Sequence, residues 1–154
     1  MLRDRIKQET VAAMKAGDKP RTAALRLISA KLKDRDIEMR PMIAAGTQPV
    51  EDDALVIDTL QKMAKQRRES IQMYEEGGRE ELAAQERGEL RVIEEFLPRQ
   101  LSETETRAAI ERIKGELGAG GMKDMGRVMA ELKARHAAEL DMGRASGWVK
   151  EALQ

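Results

Sequence analysis

Along nearly the whole chain, apolar residues recur every three or four positions, and most runs are closed by glycine or proline. That spacing puts them on one stripe of a 3.6-residue helix and denies the alternation a strand needs. Leu2, Ile6, Ala13 and Met14 mark a first helix over about Leu2–Ala16, and Gly17 supplies the left-handed residue that commonly ends one. Asp18 is then an N-cap, with Pro20 in the first turn, where a missing N–H costs nothing. Ala24, Leu25, Ile28 and Leu32 form the buried stripe of the second helix. Pro41, Gly46 and Pro49 bracket a loop, although Met42-Ile-Ala-Ala has room for a helical turn before Gly46.

The third helix opens on Glu51, Asp52 and Asp53, acids favoured at the positive end of the helix dipole. It carries Val56, Leu60, Met63, Ile71 and Tyr74 to Gly77-Gly78. A fourth, from about Arg79, uses Leu82, Leu90, Ile93 and Leu97 and stops at Pro98, with Gly88 interrupting its pattern. Beyond Pro98, where 7 of the 12 glycines lie, the helices shorten. Ser102 and Glu105 have capping-box spacing, and their helix carries Ile110, Ile113 and Leu117. Another follows Lys123-Asp124 with Met125, Val128, Met129 and Leu132, and a last one near Gly143–Gln154 carries Ala145, Trp148, Val149, Ala152 and Leu153. The expectation is an all-α chain: a larger N-terminal helical domain over residues 1–98 and a small three-helix tail domain over 99–154.

Composition supports this and removes other classes. Alanine, glutamate, arginine, leucine and lysine make up 82 of 154 residues, the bias of long helices, while Tyr74, Phe96 and Trp148 are the only aromatics. Sandwiches, barrels and base-stacking RNA-recognition sheets draw on aromatics the chain lacks. With no cysteine there are no disulfides, thiolate metal sites or cysteine nucleophiles. No apolar run exceeds four residues, and Met1-Leu-Arg-Asp-Arg is already helical in pattern, so a cytoplasmic chain without membrane contact is expected.

Catalytic chemistry finds little to stand on. His136 is the single histidine and falls near a helix end, where a surface role suits it better than general-base work. Ser29, Ser70, Ser102 and Ser146 lie in no nucleophile context. Gly118-Ala-Gly-Gly121 lacks the lysine and preceding strand of a phosphate loop, and Glu75-Glu76 and Glu80-Glu81 read as solvated acids. No catalytic residue, cofactor or metal is assigned.

Charge is distributed more sharply than its total reveals. The 28 basic and 28 acidic side chains cancel, but residues 1–40 hold 11 Lys/Arg against 6 Asp/Glu, and residues 75–95 hold 8 Glu against 3 Arg. Arg21, Arg26, Lys31, Lys33 and Arg35 decorate the second helix, with Arg26, Lys33 and Arg40 on one side of it, and Lys62, Lys65, Arg67 and Arg68 cluster on the third. Arg26, Lys33, Lys65 and Arg68 are candidate nucleic-acid contacts, since such cations can neutralise phosphates. The competing reading pairs them with the fourth helix's glutamates.

Several stretches resemble, in order, the GatB/YqeY family: Met14-Lys-Ala-Gly-Asp-Lys-Pro-Arg21, Leu25-Arg-Leu-Ile-Ser-Ala30, Lys65-Gln-Arg-Arg-Glu-Ser70, Gly78-Arg-Glu-Glu-Leu82, Phe96-Leu-Pro-Arg-Gln-Leu-Ser102 and Met122-Lys-Asp-Met-Gly126. The resemblance implies a helical domain followed by a tail domain, similar to the C-terminal part of the B subunit of tRNA-dependent amidotransferases. In that enzyme this part contacts tRNA, while the carbon–nitrogen ligation and glutamine hydrolysis lie elsewhere. It therefore implies a tRNA-binding accessory protein without autonomous catalysis; the zero net charge, unusual for a dedicated nucleic-acid binder, motivates the alternative of an adaptor docking on an amidotransferase or another translation component. Carried over residue by residue, the resemblance adds Lys123, Arg127 and Arg144 as candidate phosphate-facing cations. Many relatives have Pro-Lys-x-x-Gly-Arg-Ala-Asp-Gly before the last helix; here Gly143, Arg144, Ala145 and Gly147 match, Ser146 replaces the acid, and the proline is absent.

Overall fold

The structure is a computed structural model that describes residues 1–47 and 51–154. Pro49, one of the three loop residues marked in the sequence, lies outside the described residues. Among those described there is no strand, and seven α-helices carry the fold: α1 Leu2–Lys15, α2 Lys19–Ala44, α3 Asp52–Glu76, α4 Glu80–Glu95, α5 Glu103–Leu117, α6 Met125–His136 and α7 Met142–Leu153. A 3-10 turn, Met122–Asp124, leads into α6. The backbone divides into two compact units, Met1–Leu97 and Pro98–Gln154.

In the first unit the local signals act where the sequence puts them. Gly17 ends α1 at φ 70°, a conformation in which a Cβ would be strained. The Asp18 carboxylate accepts the Arg21 N–H at 3.1 Å, and Pro20 occupies the first turn of α2. The core is aliphatic apart from one ring: Ile6, Leu25, Ile28, Val56, Leu60, Ile93 and Phe96 are all fully buried. Phe96 caps α4, and the Arg5 guanidinium of α1 lies over its ring, 5.0 Å from the centroid. Helix α3 packs along α4 and α1 along α2, while α2 also touches α3 and α4.

Three expectations are corrected. Pro41 does not open a loop, because α2 continues through it to Ala44 and includes Met42-Ile-Ala. Proline removes only the bond to the Ile37 carbonyl, and at this exposed end of the helix water can replace it. Met14 is 52% exposed rather than part of the buried stripe: Ala13 takes the inward position, and the next residue is rotated by about 100°. Leu82 is likewise exposed, and its neighbour Ala83 is the residue α4 buries there.

The second unit has its own core of Ile110, Ile113, Val128, Leu132, Ala145 and Val149. Its entry is fixed by the capping box: Ser102 Oγ accepts from the Glu105 N–H at 3.1 Å, and Glu105 Oε2 accepts from the Ser102 N–H at 2.9 Å. The segment before α5 is tied to the α6–α7 turn by Leu101 N–H to the Glu139 carbonyl, 2.7 Å, and by Gln100 Nε2 to the Ala138 carbonyl, 3.0 Å. Lys114 Nζ then reaches the Ala152 carbonyl at 2.9 Å, stapling α5 to the end of α7.

Burial separates residues the apolar pattern groups together. Leu60→Ala is expected to cost about 2–5 kcal/mol through lost transfer energy and a cavity. Met14→Ala, at an exposed site, should stay within about 0.5 kcal/mol. Urea unfolding followed by circular dichroism measures both.

Candidate nucleic-acid interface

Each helix exposes cations, and geometry decides which remain available to a partner. In the first unit most arginines are committed. Arg67 of α3 stands 2.8 Å from Glu89 and 3.3 Å from Glu86, both on α4, with all three side chains about four-fifths covered. Arg68 pairs with Glu94 at 3.5 Å, and Arg87 bridges Glu75 and Glu80. Arg21 joins three helices through Glu9 at 3.0 Å and Glu95 at 2.9 Å, and those hydrogen bonds, Glu95 first, raise its pKa further. Arg35 pairs with Glu38 at 3.0 Å, and Lys62 with Asp58 at 3.0 Å. The glutamates of α4 are thus largely spent on arginines of α2, α3 and α4 itself.

Among the cations left without a carboxylate are three that line a cleft between α1 and α2, about 720 Å³ in volume. Lys7, Arg26 and Lys33 line it, and none of the three makes an ion pair among the described residues. Arg26 has only a long contact to Met14 Sδ, at 3.8 Å. Of its apolar lining residues, Ala30 is exposed, whereas Ile6 and Leu32 are buried in the core. At one end Arg3 is gripped by Asp36, 3.0 Å, and Asp52, 2.9 Å, and hydrogen bonding to Asp52 is the main cause of its raised pKa. The main-chain N–H of Leu2 donates to Asp53 at 3.0 Å, so the start of α1 is anchored to the start of α3 beside the cleft.

The candidates in this unit therefore separate. Arg26 and Lys33 come together in the cleft. Lys65 is exposed on α3 without an ion pair among the described residues, and Arg68 is held by Glu94. Lys7 was not among the candidates read from the sequence, though it lies one helical turn beyond Arg3; its place in the cleft depends on how α1 packs on α2.

In the second unit Lys123 and Arg144 are exposed. Arg127 is drawn to Asp124 at 2.7 Å, and Asp124 also accepts the Gly120 N–H at 3.1 Å. The bond from Gly120, and then that from Arg127, hold the Asp124 carboxyl below the usual carboxylate range. One buried acid thus fixes both the glycine-rich connection and the arginine beside it. The Arg144 guanidinium lies 5.3 Å from the centroid of the Trp148 ring, and that of Arg107 lies 5.7 Å from it. Arg107 is restrained by Glu103 at 3.0 Å and Glu151 at 2.8 Å. Arg144 has no such partner among the described residues.

Groups that would carry acid–base or nucleophilic chemistry are occupied locally. His136 Nδ1 is 2.6 Å from Glu139 Oε2 at the end of α6. The Ser29 hydroxyl donates to the Leu25 carbonyl at 3.1 Å and the Ser146 hydroxyl to the Gly143 carbonyl at 2.7 Å, while Ser102 caps α5.

Comparison with protein families matches residues 3–153 to the family YqeY, described as Yqey-like protein. No curated protein matches the chain.

The role of Asp124 can be read against pH. Its pKa is depressed in the folded state, so its contribution is present above the unfolded value, about 3.9, and lost as pH falls through the folded one. Trp148, the chain's single tryptophan, reports this unit alone. Urea midpoints from its fluorescence should fall between about pH 5 and pH 3, and more gently for Asp124→Asn; equal slopes would deny the carboxylate this role.

Proposed function

The chain belongs to the family of Yqey-like proteins, and from that premise we propose that it is a tRNA-binding accessory protein that performs no ligation by itself. The observation that carries the reading is the partition of charge. Acidic α4 consumes the arginines of its neighbours and leaves Lys7, Arg26 and Lys33 together and uncompensated in one cleft. Exposed cations able to reach phosphates supply affinity without sequence discrimination, which suits a protein that takes hold of an RNA's shape. In the second unit Lys123, Arg127 and Arg144 extend the same chemistry, with Arg127 aimed by Asp124. The resemblance to the tRNA-contacting part of the amidotransferase B subunit names the RNA.

On this reading the protein acts in the cytoplasm, and any carbon–nitrogen ligation belongs to a partner enzyme. No helix among the described residues is long and apolar enough to cross a membrane. The second reading, an adaptor docking on an amidotransferase or another translation component, is favoured by Ile37, Met42 and Ile43. These are 50–60% exposed on the last turns of α2.

Filter binding of tRNA across about 50–200 mM salt separates the two. The proposal expects affinity to fall steeply with salt. Arg26→Ala combined with Lys33→Ala should lower the logarithmic salt slope by about 2, roughly one for each phosphate no longer neutralised. Affinity indifferent to salt and to both substitutions would refute it and leave the adaptor.

A further inference from the structure

Helix α2 carries apolar residues on two opposite faces. Leu25, Ile28, Leu32 and Met39 form the inward face and are buried. On the far side Ala23, Leu27, Ala30, Asp34 and Ile37 are all exposed, and at about 100° per residue they fall within about 80° of one another. Leu27 is 43% exposed and Ile37 55%. Charged side chains ordinarily hold the outermost stripe of a surface helix, so an apolar stripe there marks a second face to be covered. Among the described residues α1, α3 and α4 pack on α2, and they leave this stripe open.

The two edges of the stripe differ in charge. Arg26, Lys33 and Arg40 recur every seven residues along one edge, all exposed, and none makes an ion pair among the described residues. The other edge is mixed, with Lys31 exposed and Glu38 held by Arg35 at 3.0 Å. Asp34, the one acid of the stripe, lies toward that mixed edge, a turn from Lys31.

We propose that this stripe docks an acidic amphipathic helix of a partner protein, whose apolar residues cover Leu27 and Ile37 and whose carboxylates face Arg26, Lys33 and Arg40. A seven-residue repeat is the spacing at which two helices stay in contact along their length. Ala23 and Ala30 let a second backbone come near, since the distance between helix axes follows the side chains at the contact. Unpaired cations along one edge select acids opposite them. A second copy fits poorly: antiparallel pairing sets the cationic edge against itself, and parallel pairing brings Arg26 to Lys31. A membrane surface draws on large apolar side chains, and here alanines separate Leu27 from Ile37. An RNA backbone uses the cations and leaves Leu27 and Ile37 uncovered. The inference goes beyond the tRNA reading, and it rests on the adaptor reading only in taking a protein as partner.

Nuclear magnetic resonance of the 15N-labelled full chain tests it with a synthetic helix-forming peptide of about three heptads, leucine along one stripe and glutamate on both edges. The glutamates also keep the peptide from pairing with itself. Amide shifts are expected along α2 from Ala23 to Ile37, with a gain of peptide helicity by circular dichroism and weaker binding as salt rises. Leu27→Gln with Ile37→Gln keeps every charge and places good helix formers at exposed positions, and it should weaken the peptide by about tenfold or more. Arg26→Ala with Lys33→Ala should do the same, as should lysine for glutamate in the peptide or a scrambled order of its residues.

Absence of shifts on α2, a scrambled peptide that binds as tightly, or indifference to Leu27→Gln with Ile37→Gln would each overturn the proposal. Binding to phosphatidylserine vesicles, or dimerisation in sedimentation equilibrium, that those two substitutions abolish would give the stripe to a membrane or to a second copy and overturn it too. The readings fail separately. Filter binding of tRNA should be unchanged by Leu27→Gln with Ile37→Gln, because Arg26 and Lys33 remain; tRNA binding that falls by the same factor would give the stripe to RNA and overturn the helix. Peptide binding by a chain that a purified amidotransferase ignores upholds the helix site and removes that partner from the adaptor reading.

Discussion

The contact between α3 and α4 is the interaction on which the first unit's surface depends, and it has an apolar and an ionic part of unequal weight. Val56, Leu60 and Ile93 are fully buried there with Phe96 at the end of α4. Side chains of that kind contribute about 1.5–3 kcal/mol each on burial. The accompanying pairs, Arg67 with Glu86 and Glu89 and Arg68 with Glu94, are partly exposed. Exposed pairs typically contribute about 0–1 kcal/mol. The apolar seam therefore holds the helices together, and the ion pairs determine how the surface is charged.

That determination is what makes a neutral chain able to present a basic cleft. Had α4 packed elsewhere, Arg67 and Arg68 would stand free and its glutamates would face solvent. As folded, α4 is largely neutralised in place, and of the cations that stay unpaired on α1 and α2, Lys7, Arg26 and Lys33 line one cleft. The carboxylates that do face the cleft, Asp36 and Asp52, are tied to Arg3 at one end of it. The second unit reaches an analogous result by local means: Asp124 restrains Arg127, while Arg144 stays exposed beside Trp148.

Features set within one or two turns were legible in the sequence. Gly17, Asp18 and the Ser102–Glu105 box act where their spacing puts them, because caps and left-handed glycines depend on neighbours only a few residues away. The buried stripes of α2 and α5 followed from periodicity for the same reason. Pro41 misled because its cost falls on a single carbonyl at an exposed helix end. Met14 misled because a three-to-four spacing cannot tell the centre of a stripe from its edge. The site was legible only as a choice. Arg26 and Arg68 look alike in sequence, and what separates them is that Arg68 faces a glutamate of α4 whereas Arg26 faces across to α1. Lys7 was missed on the same account, since its neighbours are brought to it by packing.

Chemical protection of lysines tests the account most directly, because it reads the cleft and the committed surface in one experiment. Amine-reactive labelling of the full chain with and without tRNA, quantified at each lysine, compares Lys7 and Lys33 with Lys62, which Asp58 holds on α3. The account predicts strong protection of Lys7 and Lys33 and none of Lys62. Protection of Lys62 with Lys7 and Lys33 left reactive would contradict it.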